Sequence, residues 1–418
     1  MQRVRMSLPY FLDFGWQVDI ISVVQYQSDI NKDNLLCDSL PADFRHFEVN
    51  ALSKKYTSKL GLGSIAIRAL HFIKEQGNKL LRKEKFDLIY FSTTQFPVCV
   101  LGRYWKKKFG IPYVIDMQDP WHSEYYQDKP KHERPAKYWF SYRLNKYLEP
   151  IAMKSVDGLI SVSEAYINDL KSRYPIIKNI PSSVITFGAF EKDFEIAEKH
   201  GTELKPGFTK KEHELSIAYV GRGGKDMWPA VQLFFDAFKE GLKRKPYIFS
   251  LFKVHFIGTS YASAGAGKQT IQPLAREMGI GDYVEEQTDR ISFYRTLRTL
   301  KYADALFIPG SDDPRYTASK IYPYLMAERP LISVFHQASS AAKIIKDCEM
   351  GLSLTFDMDR EVIKENIINY LVSVANRTAE VKPPKQEVFE KYSAKNMTKM
   401  QVDLFEKVLA TRQARRKR

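Results

Sequence analysis

Cysteine is scarce in this chain: three residues, Cys37, Cys99 and Cys348, in 418. They are odd in number, far apart and free of any CxxC spacing, which excludes a disulfide framework and predicts reduced thiols. Long apolar runs are missing as well. None approaches the roughly 20 residues that span a bilayer, and the N-terminus has no apolar signal core with a cleavage site, so a cytoplasmic location is expected. No internal repeat stands at solenoid spacing. A metal site built on Asp119, His122 and Glu124 lacks any further ligand cluster, so neither a metal nor another cofactor is expected. The stretch GTSYASAGAGKQT looks like a phosphate loop and fails its pattern. The glycine due five residues before Gly267 is Ala262, and Gln269 stands where a magnesium-binding Ser or Thr would be.

What is present is a chain long enough for two domains of about 150 to 200 residues each. Hydrophobic residues at 44% and aromatics at 13% exclude a disordered chain and allow sizeable cores. The net charge of +15 predicts attraction to something anionic, whether lipid, nucleic acid or a phosphorylated substrate. Nucleic acid is the weakest of these, because the basic residues are not organised around a recognition motif.

Taken in order, the chain opens with a helix over Gln2 to Phe14, closed by Gly15, and a strand over Gln17 to Val24. Lys54 to Lys85 holds nine Lys or Arg against two Glu with an apolar stripe at helical spacing, and reads as a basic amphipathic helix. Its basic face suits solvent over a domain core, or a membrane surface. Phe86 to Phe91, Tyr113 to Asp116, Gly158 to Val162 and Val184 to Phe187 read as strands. Helices are expected over Val98 to Phe109, Ala136 to Ala152 and the SEAYINDLKSRYP stretch. Such alternation predicts a parallel sheet. Between strand and helix, DMQDPWHSEYYQ places Asp116, Asp119, Trp121, His122 and Glu124 in a polar, aromatic loop suited to lining a cleft. The expected divisions are a first domain over residues 1–190, a charged linker over 191–214, a second domain over 215–385, and a C-terminal helix with a basic tail over 386–418.

Two stretches of the second domain carry the chemistry. Strand Ser216 to Val220 runs into GRGGKDMWP, where Gly221, Gly223 and Gly224 let backbone approach a ligand, and Arg222 and Lys225 lie near a helix N-terminus with Asp226 as its expected cap. Two cations there suit a diphosphate. Downstream, the strand Ala305 to Pro309 leads through a polar loop to a helix that must begin near Ser319, since Pro323 is tolerated only in about the first turn. Thr317, Ser319 and Lys320 then converge where ligands sit in open α/β sheets, outside the carboxyl ends of the strands. Both stretches also fit solvated turns, with Asp312, Asp313 and Arg315 pairing among themselves.

Two alternating halves, the GRGGK turn and the SKIYPYLMAERPLI unit together resemble the GT-B glycosyltransferases, most closely glycosyltransferase family 4, over nearly the whole chain. SVSEAYINDLKSRYP followed by VITFGAFEKDF is similar to the end of the family's acceptor domain, with Phe187 where asparagine is usual. The resemblance implies an α/β fold of two Rossmann-like, doubly wound domains facing a cleft, the first strand of the N-terminal domain missing. It implies Arg222 and Lys225 as the pair that holds the leaving nucleoside diphosphate, Asp119 on the acceptor side, and a donor site of Gly221, Gly223, Gly224, Asp312, Asp313, Thr317, Ser319 and Lys320. The partners implied are a nucleotide-sugar donor, a glycan or lipid-linked acceptor in cell-surface polysaccharide synthesis, and an anionic membrane surface. No metal is implied, and transfer would retain anomeric configuration.

The sequence departs from the family at three places. The family's paired glutamates fall on Arg315 and Pro323, with Asp312 or Asp313 standing in for one of them. Its histidine-aspartate pair falls on Gln118 and Asp119. Relatives carry a strand and a glycine-rich loop before the helix that matches Gln2 to Phe14, so Met1 is expected to be an internal methionine. A nucleotide-sugar-binding protein without turnover and a nucleotide-sugar epimerase are the alternatives these departures leave.

Overall fold

The computed structural model describes residues 2–27, 33–58, 62–122, 124, 127, 130, 131, 134, 138–312 and 321–416. It divides into two compact units, one formed by Met1–Gly188 with Ala394–Arg418 and the other by Ala189–Ser393. No helix among the described residues is long and apolar enough to cross a membrane.

The first unit begins with α1 (Gln2–Phe11), extended by a 3-10 turn to Phe14 and ended by Gly15 in the left-handed conformation. Strands β1 (Asp19–Val23) and β2 (Arg45–Val49) pair in parallel as a separate two-stranded sheet. The expected long basic helix is in fact a single turn, Lys54–Thr57, and α2 (Ile65–Lys83), with the poor helix former Gly63 just ahead of the second. Then come β3 (Ile89–Ser92), α3 (Val100–Phe109), β4 (Tyr113–Met117), α4 (Tyr138–Met153), β5 (Gly158–Ser161), α5 (Glu164–Arg173) and β6 (Ser182–Val184). These four strands form a second parallel sheet in the order β3-β4-β5-β6. Phe91, Tyr113, Ile115, Met117 and Leu159 of this sheet pack with Leu101 and Trp105 of α3, Ala152 and Met153 of α4, and Leu70 and Ile73 of α2, so α2, α3 and α4 make one helical layer.

The second unit opens where a linker was expected. Residues 191–214 instead carry α6 (Lys192–Lys199), whose Phe194, Ile196 and Ala197 are buried and whose Asp193 accepts a hydrogen bond from Tyr294. The segment behind it stacks Phe208 on His255 and ties Lys210 to Asp304. The chain then alternates through β7 (Leu215–Val220), α7 (Trp228–Arg244), β8 (Phe252–Ile257), α8 (Ile271–Glu277), β9 (Val284–Gln287), α9 (Phe293–Tyr302), β10 (Ala305–Pro309), α10 (Ile321–Met326), β11 (Leu331–Phe335), α11 (Ser340–Asp347), β12 (Leu352–Thr355) and α12 (Arg360–Ala375). Six parallel strands run β12-β11-β10-β7-β8-β9, which puts β7 at the point where strand order reverses. The aromatic side of α7 fills the core, with the Phe234 and Phe307 ring centroids 4.3 Å apart.

The last helix, α13 (Ala394–Arg416), returns to the first unit, where Phe405 packs on Phe11, Trp16 and Tyr90. The C-terminal segment is therefore part of the first unit's core rather than an appendage, because Val402, Leu404, Phe405 and Val408 are all buried.

Candidate active site

The glycine turn sits at the carboxyl end of β7, and its glycines are held by contacts that leave little room for a side chain. Gly221 donates to the Ile257 carbonyl at 2.9 Å and Gly223 to the Thr259 carbonyl at 2.8 Å. A Cβ on Gly221 would meet the Tyr219 hydroxyl at 2.4 Å, and one on Gly223 would meet Thr259 at 3.0 Å. Beneath the turn, the Tyr324 hydroxyl accepts from Val220 N–H and donates to its carbonyl, and the Tyr219 hydroxyl donates to the Arg222 carbonyl. Two buried phenols thus fix the backbone from below. Thr270 closes the far side by donating to the Gly223 carbonyl at 2.7 Å.

Arg222 and Lys225 are on this turn but do not point together. Arg222 is half-buried and makes a bidentate pair with Asp226, at 2.8 and 2.5 Å. Asp226 was expected to cap the helix. Instead, with burial working against it, hydrogen bonds from Arg222 and Ser311 hold its carboxyl below the ordinary value, and Met227 takes the cap position of α7 without a side-chain bond. Lys225 is exposed and lies over the Trp228 ring, 5.6 Å from its centroid.

The structure also brings Asp312 to the turn, its N–H donating to the Asp226 carbonyl at 3.1 Å. Gly221, Arg222, Gly223, Gly224, Lys225 and Asp312 therefore form one group at the carboxyl ends of β7 and β10. Asp313, Thr317, Ser319 and Lys320 lie outside the described residues, so the structure neither adds them to this group nor removes them from it.

Glu286 was missed by sequence reasoning. It is buried on β9, and its carboxylate accepts from the N–H groups of Thr270, Ile271 and Gln272 and from the Thr259 hydroxyl. One carboxylate thus caps α8 and pins both ends of the loop 259–270 beside the glycine turn. The strand register is what reveals it: Glu286 shares the inward face of β9 with Val284, and a charge on the buried face of a strand needs a partner.

In the first unit, most of the candidates in DMQDPWHSEYYQ are structural, and the first of them, Asp116, lies within β4. Asp116 is fully buried and takes an ion pair from Arg3 at 2.7 Å and hydrogen bonds from Gln118, Ser92 and Tyr90. Arg3 continues to the carbonyls of Ile185 and Thr186, which are held by the guanidinium beyond the end of β6, where a strand was expected to run on. Trp121 stacks on Phe96 and donates to Asn145. His122 is buried, its N–H donating to Glu149, and burial lowers the affinity of its ring for a proton despite the neighbouring carboxylate. Asp119 keeps the character of a site residue: it is exposed just past the carboxyl end of β4, and partial burial raises its carboxyl above the ordinary value. Among the described residues no group of three or more His, Cys, Asp or Glu side chains is placed to hold a metal ion.

Residues 46–188 match the family described as Glycosyltransferase Family 4. No curated relative matches the sequence. Among solved structures the chain is similar to sucrose-phosphate synthase from Thermosynechococcus elongatus, with a TM-score of 0.56 at 15% identity over 97% of this chain and 92% of that one. It is similar to HepE of Anabaena in complex with UDP and glucose, with a TM-score of 0.55 at 13% identity over 96% and 94%. A UDP-forming trehalose-phosphate synthase from Burkholderia xenovorans follows, with a TM-score of 0.51 at 12% identity over 89% and 81%. The fold is GT-B, with two Rossmann-like units.

Proposed function

We propose that the protein is a glycosyltransferase that moves a sugar from a nucleotide-sugar donor to a glycan or lipid-linked acceptor, with retention of anomeric configuration. The observation that carries this reading is the backbone-fixed glycine turn at the switch point of the second unit's sheet, with Arg222 on it and a helix beginning behind it. A turn that lets a ligand close to its backbone, with a guanidinium on it, suits a diphosphate, and stabilising the charge that develops as the sugar–phosphate bond breaks is the largest catalytic contribution such a site offers. Similar structures that bind UDP and glucose, and the family match of residues 46–188, support a nucleotide sugar as the donor. Asp119 is the acceptor-side group in this reading, and Asp312, Asp313, Thr317, Ser319 and Lys320 complete the donor site. Cell-surface polysaccharide synthesis at the inner face of the membrane is the setting that a lipid-linked acceptor implies.

The pairing of Arg222 with Asp226 favours one second reading, a protein that binds nucleotide sugars without turnover, because the cation is already neutralised. A thermal-shift panel of UDP, GDP, ADP and their sugar conjugates tests both. A nucleotide at a hundred times its dissociation constant should stabilise the chain by about 2.7 kcal/mol. That shift should vanish in Arg222→Ala with Lys225→Ala. If no nucleotide stabilises the wild type, the donor reading fails; if one does but its sugar conjugate is neither transferred nor hydrolysed, the second reading replaces the first.

A further inference from the structure

The pair of Arg222 with Asp226 covers the part of the glycine turn that a ligand would approach. A Cβ on Gly224 would fall on Asp226 Oδ1 and on Arg222 Nη1, so both side chains lie against the bare face of that glycine. The pairing is bidentate, with two N–H···O bonds at 2.8 and 2.5 Å. A guanidinium takes a phosphate in the same fork geometry. The Asp226 carboxylate thus has the negative charge, the forked partner and the glycine contact that the proposed function asks of a donor phosphate.

The surroundings suit an exchange of partners. Both side chains are partly exposed, and an ion pair so placed contributes little to stability. The backbone that carries the pair is held independently of it: Met227 donates to the Gly224 carbonyl at 3.0 Å, and the Asp226 carbonyl accepts from Asp312 at 3.1 Å. The carboxylate also has a second partner in the hydroxyl of Ser311, a buried residue, so losing Arg222 does not strand it. A carboxylate tethered four residues from the guanidinium competes for it at high effective concentration. A site whose competent form is only a fraction of the whole binds its ligand more weakly by that fraction.

We propose that Asp226 is a built-in competitor of the donor's diphosphate: it yields Arg222 to the arriving phosphate, stays with Ser311, and reclaims Arg222 as the nucleoside diphosphate leaves. This role rests on the donor reading and makes Asp226 a positioning residue, acting through Arg222. The neutralised cation is then the resting arrangement of a working site. Isothermal titration calorimetry of the full chain with UDP, GDP and ADP, and with the monophosphate and nucleoside of the base that binds, tests it on wild type and Asp226→Asn. Removing the charge while keeping an amide for Ser311 should tighten diphosphate binding by about tenfold or more, mostly through slower dissociation in stopped-flow traces. The gain should shrink for the monophosphate and vanish for the nucleoside, a gradation that a general loosening of the turn would not give. In an Arg222→Ala background the same substitution should gain less, because no guanidinium is left to compete for. If Asp226→Asn melts below wild type, Asp226→Ser carries the same comparison. Diphosphate affinity that is unchanged or lowered without the carboxylate, or a gain equal for diphosphate and nucleoside, would overturn the competitor role and leave the donor reading standing. Failure of every nucleotide to bind either wild type or variant would overturn both.

Discussion

The two units are variations on one plan that handle the centre of their sheets differently. In the second, β7 is central, paired on both sides, and delivers the glycine turn to the sheet's carboxyl edge. In the first, the strands form two separate sheets, and among the described residues none pairs with both β1 and β3. Every residue of β1 is only half-buried, whereas β4 and β5 are buried throughout. What stands at the carboxyl edge of the first unit is a side-chain device, Arg3 on α1 clamped to Asp116 and to the carbonyls after β6. One unit fixes its edge with backbone and phenols, the other with a buried ion pair. Backbone can be approached by a ligand, while a buried ion pair is already spent on holding the fold together.

That contrast can be broken most severely at Arg3. Both Arg3 and Asp116 are fully buried. Arg3→Met should therefore cost about 3–5 kcal/mol by leaving an uncompensated carboxylate, and Arg3→Met with Asp116→Leu should recover much of it. Denaturant unfolding monitored through the first unit measures both. A cost under about 1 kcal/mol for the single variant would mean that the two units are held alike.

A smaller effect belongs to the second unit and depends on pH. His255 is buried against Phe208, with Glu285, Glu214, Lys253 and Lys210 around it. Burial pushes its ring down to about 4, the lysines adding to this and Glu285 opposing it. Between about pH 6.5 and 4 the unfolded chain thus binds a proton that the folded chain refuses, so stability is lost as pH falls through that window. The loss should be on the order of 3 kcal/mol by pH 4, and His255→Phe should flatten it. Melting curves at stepped pH decide.

The smallest effect on stability is the most telling for function. Arg222 and Asp226 are each about a third exposed, at 29% and 33%. Arg222→Ala should cost under about 1 kcal/mol of stability while abolishing the nucleotide-dependent shift. The buried arginine of the first unit and the accessible arginine of the second would then separate cleanly into structure and function.

Much of the fold was legible because α/β alternation writes short apolar runs between helical stripes, and β10 and β11 stand at the bounds their apolar runs suggest. Strands β2 and β9 were not, since RHFEV and VEEQ are too polar to read as strands. The expected linker over 191–214 hid α6, because an eight-residue helix among charged neighbours shows too little period to be seen. At the site, the glycines were readable from local chemistry. The pairing of Arg222 with Asp226 needed geometry, and the Arg3 clamp joins residues more than a hundred positions apart. Long-range polar pairing leaves no mark at short spacing.

The clasp on Gly223 has a consequence for engineering. Thr259 takes the Gly223 N–H and Thr270 gives a hydrogen bond to its carbonyl, so the ends of the intervening loop are fixed at one residue. At its tip Gly265 is left-handed, and a Cβ there would meet nothing within 4 Å. Lengthening such a loop costs only about 0.6 kcal/mol per doubling, and fixed ends keep the change from reaching the glycine turn. A peptide tag or reporter inserted between Ala264 and Ala266 should ride beside the candidate donor site without disturbing it, giving a handle from which ligand arrival can be read.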